Sequence, residues 1–222
     1  MFVSSSSLEM STFPFLSSLE REPKSSDYRQ WVDEEVLSQV SSYPSSLILH
    51  YVREVLVRGE VHKPLPGQVC HTPFCGEKDF IYMYEPMLCL LGVTFPFHHF
   101  EAEVLWALGL APSQLHPNGW TVIQAFRLIC RFFGVVPTVS LLLYFYQSDT
   151  PVLASWVRLI PKSGRDLFTE YEIPSSTFRP WFFKVSAAER RLFTTTARSF
   201  PLYWQNVPSV DKVPVLSQED QT

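Results

Sequence analysis

Apolar positions change their period along this chain, and the changes mark its elements. Val32, Val36 and Val40 follow Trp31 at four-residue spacing, with Asp33, Glu34 and Glu35 among them. Acidic side chains in a first turn face the positive end of a helix, so the pattern predicts a short helix stopping near Tyr43 and Pro44. Ser45 or Ser46 then caps a second helix, with Ile48, Val52 and Val55 inward, His50, Arg53, Glu54 and Arg58 outward, and Gly59 as its stop. Prolines and glycines punctuate Val61 to Gly76, which reads as loop. Phe80 to Tyr84 is β-prone and apolar at every position, as suits a strand buried on both faces.

The middle of the chain is the most regular. Phe97, Phe100, Val104 and Leu108 line one side of a helical period, Glu101 and Glu103 fall on other faces, and Gly109 and Pro112 end the pattern. Asn118 is the expected cap of the next helix, whose stripe is Val122, Phe126, Ile129, Cys130 and Phe133, closed by Gly134 and Pro137. Thr138 starts a third helix, Val139 to Tyr146, apolar nearly all round and therefore buried. Beyond it, Trp156 to Ile160 and Trp181 to Val185 read as strands, the first ended by Pro161 and the turn at Ser163 and Gly164. Ala187 to Ala197 reads as a short polar helix. The predicted class is α+β, a mainly helical core with a small antiparallel sheet. Phe97, Phe100, Val104, Leu108, Trp120, Phe126, Ile129, Phe133, Leu142 and Phe145 are the expected core.

Composition adds the domain organisation. Of 222 residues, 46% are hydrophobic and 18% charged, which is globular rather than disordered. One domain is expected over 29–205, between a Ser-rich tail at 1–28 and an acidic, Pro-containing tail at 206–222. The net charge of −4 lacks the basic footprint of a nucleic-acid-binding chain. Cys70, Cys75, Cys89 and Cys130, in a chain without a secretory signal, read as reduced thiols and predict an intracellular protein, cytoplasmic or nuclear. The longest apolar run, Val135 to Tyr146, is broken by Pro137, Thr138 and Ser140 and falls well short of the roughly 20 residues that cross a bilayer.

Candidate chemistry is sparse. Cys70, His71, Cys75 and His62 lack the spacing of a zinc site or a zinc knuckle. His98 and His99 are adjacent and so point about 100° apart on a helix; with Glu101, Glu103 and His116 they do not form a His-Glu-x-x-His motif. Asp149 and Thr150 begin like an aspartic-protease loop, but Pro151 removes the backbone freedom that loop requires. No nucleotide, dinucleotide or hydrolase motif is present, so no catalytic residue, metal or cofactor is expected.

The run from Phe80 to Trp120, FIYMYEPMLCLLGVTFPFHHFEAEVLWALGLAPSQLHPNGW, carries a family signal. Its most specific part is Ala111, Pro112, Ser113, Gln114, Leu115, His116, Pro117, Asn118, Gly119 and Trp120. It resembles the domain of plant gypsy-type transposon proteins, in which Ser or another small residue usually stands where this chain has Gly119. The likeness extends through Ala125, Phe126, Cys130, Gly134 and Pro137 to Trp181–Val185 and Phe200–Trp204, about Trp31 to Trp204 in all. The resemblance implies a gag-like leading segment of a long-terminal-repeat element, with no catalytic residues to carry over. The run also has a local reading: Pro112 blocks one helix, Pro117 fixes a turn and Asn118 offers an oxygen to the next helix.

Two functions follow as expectations. The preferred one is a non-enzymatic domain acting in protein association, with itself or with other element-encoded proteins as partners. The alternative is a nucleic-acid-binding module of winged-helix type, three helices followed by a hairpin. Its face would hold Arg127, Arg131, Arg158, Lys162 and Arg165, with Trp156 and Trp181 available for stacking.

Overall fold

The computed structural model describes residues 31–42, 59–65, 68–70, 72–73, 76–149, 156–168, 173–187, 193 and 199–206. The expected tails, the helix around Ile48, Val52 and Val55, most of the expected helix after Ala187, His71, Cys75 and the Thr150–Pro151 pair lie outside these residues. Among the described residues the chain forms α1 (Glu34–Leu37), β1 (Gly59–His62), β2 (Phe80–Tyr84), α2 (Glu85–Cys89), α3 (His99–Leu108), α4 (Pro117–Phe133), α5 (Val139–Phe145), β3 (Tyr146–Asp149), β4 (Arg158–Pro161), α6 (Ser175–Phe178) and β5 (Phe182–Ala187). The fold is α+β.

Strand β5 is the centre of a three-stranded antiparallel sheet in the order β1-β5-β2. Val185 stands opposite both Val61 and Ile81, and Phe182 opposite Tyr84. All five side chains of β2 are buried, as its uniform apolarity predicts. The second sheet pairs β3 with β4, Asp149 against Arg158 and Tyr146 against Pro161. Hence the two expected strands at Trp156–Ile160 and Trp181–Val185 do not pair with each other: the first turns to β3 and the second takes the middle of the larger sheet. Ala187, expected to open a helix, ends β5 instead.

Helix boundaries follow local chemistry, with some differences from expectation. Asp33 caps α1 by accepting from the Glu35 N–H at 2.7 Å, but α1 lasts one turn and leaves Val40 exposed. At α3, His98 Nδ1 accepts from the Phe100 N–H while Glu101 reaches back to the His98 N–H at 2.9 Å, two first-turn donors satisfied together. Phe97 therefore precedes α3 rather than lying on it. Gly109 ends α3 with φ +66°, a left-handed conformation that glycine adopts without a Cβ clash. Helix α5 stops at Phe145, because Tyr146 is extended and the Phe145 carbonyl accepts from the Lys162 N–H at 2.8 Å.

The core is largely aromatic. Phe97 stacks on Trp120 at 5.5 Å and meets Phe200 edge-on, Phe100 stacks on Phe126 at 5.8 Å, and Tyr84 meets Phe178 edge-on at 4.9 Å. Of the expected core, Phe97, Phe100, Val104, Leu108, Trp120, Phe126 and Leu142 are buried, while Ile129 and Phe145 are partly buried. Phe133 is exposed, which corrects the expected core at the end of α4.

Candidate protein-association surface

Residues 110–117 are buried throughout and form the corner that leads into α4. Its side chains bind segments remote in sequence. Trp120 Nε1 donates to the Pro112 carbonyl at 3.1 Å, and Trp204 Nε1 donates to Ser113 Oγ at 2.9 Å. The Gln114 amide clasps the Gln205 backbone, donating to its carbonyl at 2.7 Å and accepting from its N–H at 3.1 Å. Leu115 bridges to Val157, whose N–H donates to the Gln114 carbonyl and whose carbonyl accepts from the His116 N–H.

The cap of α4 is His116, not Asn118. Its Nδ1 accepts from the Asn118 N–H at 3.0 Å, and Pro117 occupies the first helical position, where a missing N–H costs nothing. Asn118 instead turns its Oδ1 to the Ile173 N–H at 2.8 Å. An accepting Nδ1 requires neutral imidazole, and burial holds the His116 pKa down at about 4, with Arg158 and Arg179 adding to the effect. A Cβ at Gly119 would stand 2.7 Å from Leu115 Cδ1, so glycine there matches the position that Leu115 occupies.

The other ionisable groups raised by the sequence are also tied into the fold. Glu101 is buried, caps α3, and accepts from Gln124 Nε2 at 2.7 Å and from Arg127 on α4. Exposed His99 pairs with Glu103 at 3.4 Å. Burial raises the thiols of Cys89 and Cys130, favouring the protonated, less nucleophilic form. Among the described residues no three His, Cys, Asp or Glu side chains come together as metal ligands. An open cleft of about 310 Å³ gathers Glu60, His62, Lys63, Glu77, Lys78 and Lys184, where Lys78 pairs with Glu60 and Lys184 with Glu77.

Four of the five basic residues have partners within the chain. Arg127 pairs with Glu101, and Arg158 pairs across the β3–β4 ladder with Asp149 at 3.1 Å. Lys162 Nζ donates to the Leu143 carbonyl at 2.6 Å and Arg165 to the Tyr144 carbonyl at 2.7 Å, so both serve the C-terminal turn of α5. Arg131 is exposed and makes no salt bridge among the described residues. Trp156 is buried, donating to Tyr84 Oη at 2.9 Å, which leaves Trp181 the exposed one of the pair.

Around Arg131 the surface is apolar. The last turn of α4 and the loop after it leave Leu128 62%, Phe132 82%, Phe133 70%, Val135 47% and Val136 76% exposed, and residues 131–136 are exposed without interruption. The rings of Phe132 and Phe133 meet edge-on at 5.1 Å. Taking about 200 Å² per aromatic side chain and about half that per aliphatic one, the five expose on the order of 500 Å² of apolar surface. That lies at the upper end of the largest patch on an ordinary monomer, a size that marks interaction sites. Helical periodicity alone assigns Phe133 to the core, since 126, 129, 130 and 133 share a stripe. The neighbouring structure stops covering that stripe after Cys130.

Residues 84–149 match the model of a family described as "Putative gypsy type transposon". No curated protein and no solved structure matches the chain. The match supports a gypsy-type transposon domain over that segment, which begins at the end of β2 and closes at the end of β3. It includes both the buried corner and the exposed end of α4. No helix among the described residues is long and apolar enough to cross a membrane.

Proposed function

We propose that the chain is a gag-like, non-enzymatic domain of a plant gypsy-type element, acting inside the cell by protein association. A second copy of the chain is the partner at the exposed end of α4. The observation that carries this reading is the exposed apolar surface at Leu128, Phe132, Phe133, Val135 and Val136, inside the segment that matches the transposon family. Five exposed apolar side chains within nine residues are unfavourable on a monomer unless they serve a contact. Two facing copies would bury on the order of 1,000 Å², the scale of a weak, reversible interface. The non-enzymatic part is supported by the engagement of His116 and Glu101 in caps and ion pairs.

Sedimentation velocity over a concentration series tests the reading. The expected result is an average mass that rises with concentration and stays at the monomer value for Phe132→Asp, because a charge on the projecting ring position cannot be desolvated cheaply. A strict monomer at high concentration would contradict it.

A further inference from the structure

The exposed end of α4 has a charge and shape that another segment of this chain complements. From Val104 to Ser148 there is no Asp or Glu, and Arg127 is neutralised by Glu101, so Arg131 sets the charge of the patch. A segment that competes there with a second copy, whose own patch carries the same arginine, gains by being apolar, aromatic and acidic. Met1–Glu20 fits: it contains Phe2, Phe13, Phe15, Leu8, Leu16 and Leu19, and its only charged side chains are Glu9 and Glu20. Val207–Thr222 fits less well, with no aromatic residue and with Lys212 among its acids. A lipid surface is disfavoured because one exposed arginine falls far short of a polybasic segment and the chain carries a net charge of −4.

The geometry permits the contact. Helix α1 packs on the turn at Gln68–Cys70, where the Val69 carbonyl accepts from Ser113 Oγ at the buried end of α4. Helix α4 has 17 residues and therefore runs about 25 Å from there to its exposed end. The ten residues between Glu20 and Trp31 span up to about 35 Å when extended, enough to cover that distance. The exposed end of α4 offers apolar surface that the aromatic and aliphatic side chains of Met1–Glu20 would cover.

We infer that Met1–Glu20 docks on the exposed end of α4 of its own chain and competes there with a second copy. This rests on the association reading above and names its regulation. Tethering gives the segment a high effective concentration, so it weakens association without abolishing it.

The test places photoreactive benzoylphenylalanine at position 132 of the full chain and maps the cross-links by mass spectrometry on dilution. The expected links run within one chain into residues 1–20, with a yield independent of concentration. In the doubly substituted chain Phe13→Asp, Phe15→Asp that yield falls, and association between copies tightens about tenfold. Links into residues 207–222, links only between copies, or unchanged association in the doubly substituted chain would each overturn the inference. Failure of the association reading looks different: neither the natural nor the doubly substituted chain gains mass with concentration, and the competition then falls with it.

Discussion

The two ends of α4 differ in almost every physical respect. At its start, His116, Pro117 and Trp120 are buried, and the corner before them is hydrogen-bonded to Val157 and Gln205. At its finish, Phe132, Phe133 and Val136 project into solvent beside Arg131, which makes no salt bridge among the described residues. The same side-chain type, a phenylalanine on a helical stripe, is structural at Phe126 and free for contact at Phe132. What decides between them is whether another part of the chain packs over that turn, so one helix joins a folding function at one end to a binding surface at the other.

Substitutions that separate these roles should show the largest effect at the buried end. Trp120→Ala removes a fully buried ring that stacks on Phe97 and donates to Pro112, and is expected to cost about 3–5 kcal/mol in urea unfolding. A loss below about 1 kcal/mol would mean the corner is not a keystone of the fold.

Acid should act next. Unfolded histidine titrates near 6.5, whereas folded His116 is held at about 4. Between those values the unfolded chain binds the extra proton, so the contribution of neutral His116 is complete above about pH 6.5 and is lost as pH falls toward 4. The difference amounts to about 3 kcal/mol. His116→Asn keeps a capping oxygen without titrating, and its stability should vary less over the same window. If its pH dependence equals that of the natural chain, another group is responsible.

A smaller effect is expected at Gly119. Gly119→Ser places a Cβ against Leu115 Cδ1, and because Leu115 is fully buried its shift is expected to cost about 1 kcal/mol. The companion change Leu115→Val should relieve part of that cost in a double-mutant cycle; strict additivity would mean that the two positions do not interact.

Much of this architecture can be read from the residues, and the exceptions have physical causes. The α3 and α4 stripes, the glycine stops at Gly109 and Gly134 and the buried strand β2 follow from periodicity and backbone chemistry. Asparagine is the stronger general cap, so local preference points to Asn118 as the cap of α4. Pro117 at the first helical position was the available signal that the cap lies one residue before it. Strand β1 has one half-buried apolar residue, Val61, and owes its form to pairing with β5, which no local pattern announces. Strand β3 was hidden because Tyr146 continues the apolar run of α5. The surface at the end of α4 is not legible in the sequence, since a period gives the direction of a side chain but not how far the covering structure extends.

The most direct test replaces one residue and reads two properties. For Phe132→Asp, the unfolding free energy should stay within about 0.5 kcal/mol of the natural chain, while concentration-dependent association is lost. An unfolded variant, or a variant that associates as the natural chain does, would contradict the assignment of folding to one end of α4 and binding to the other.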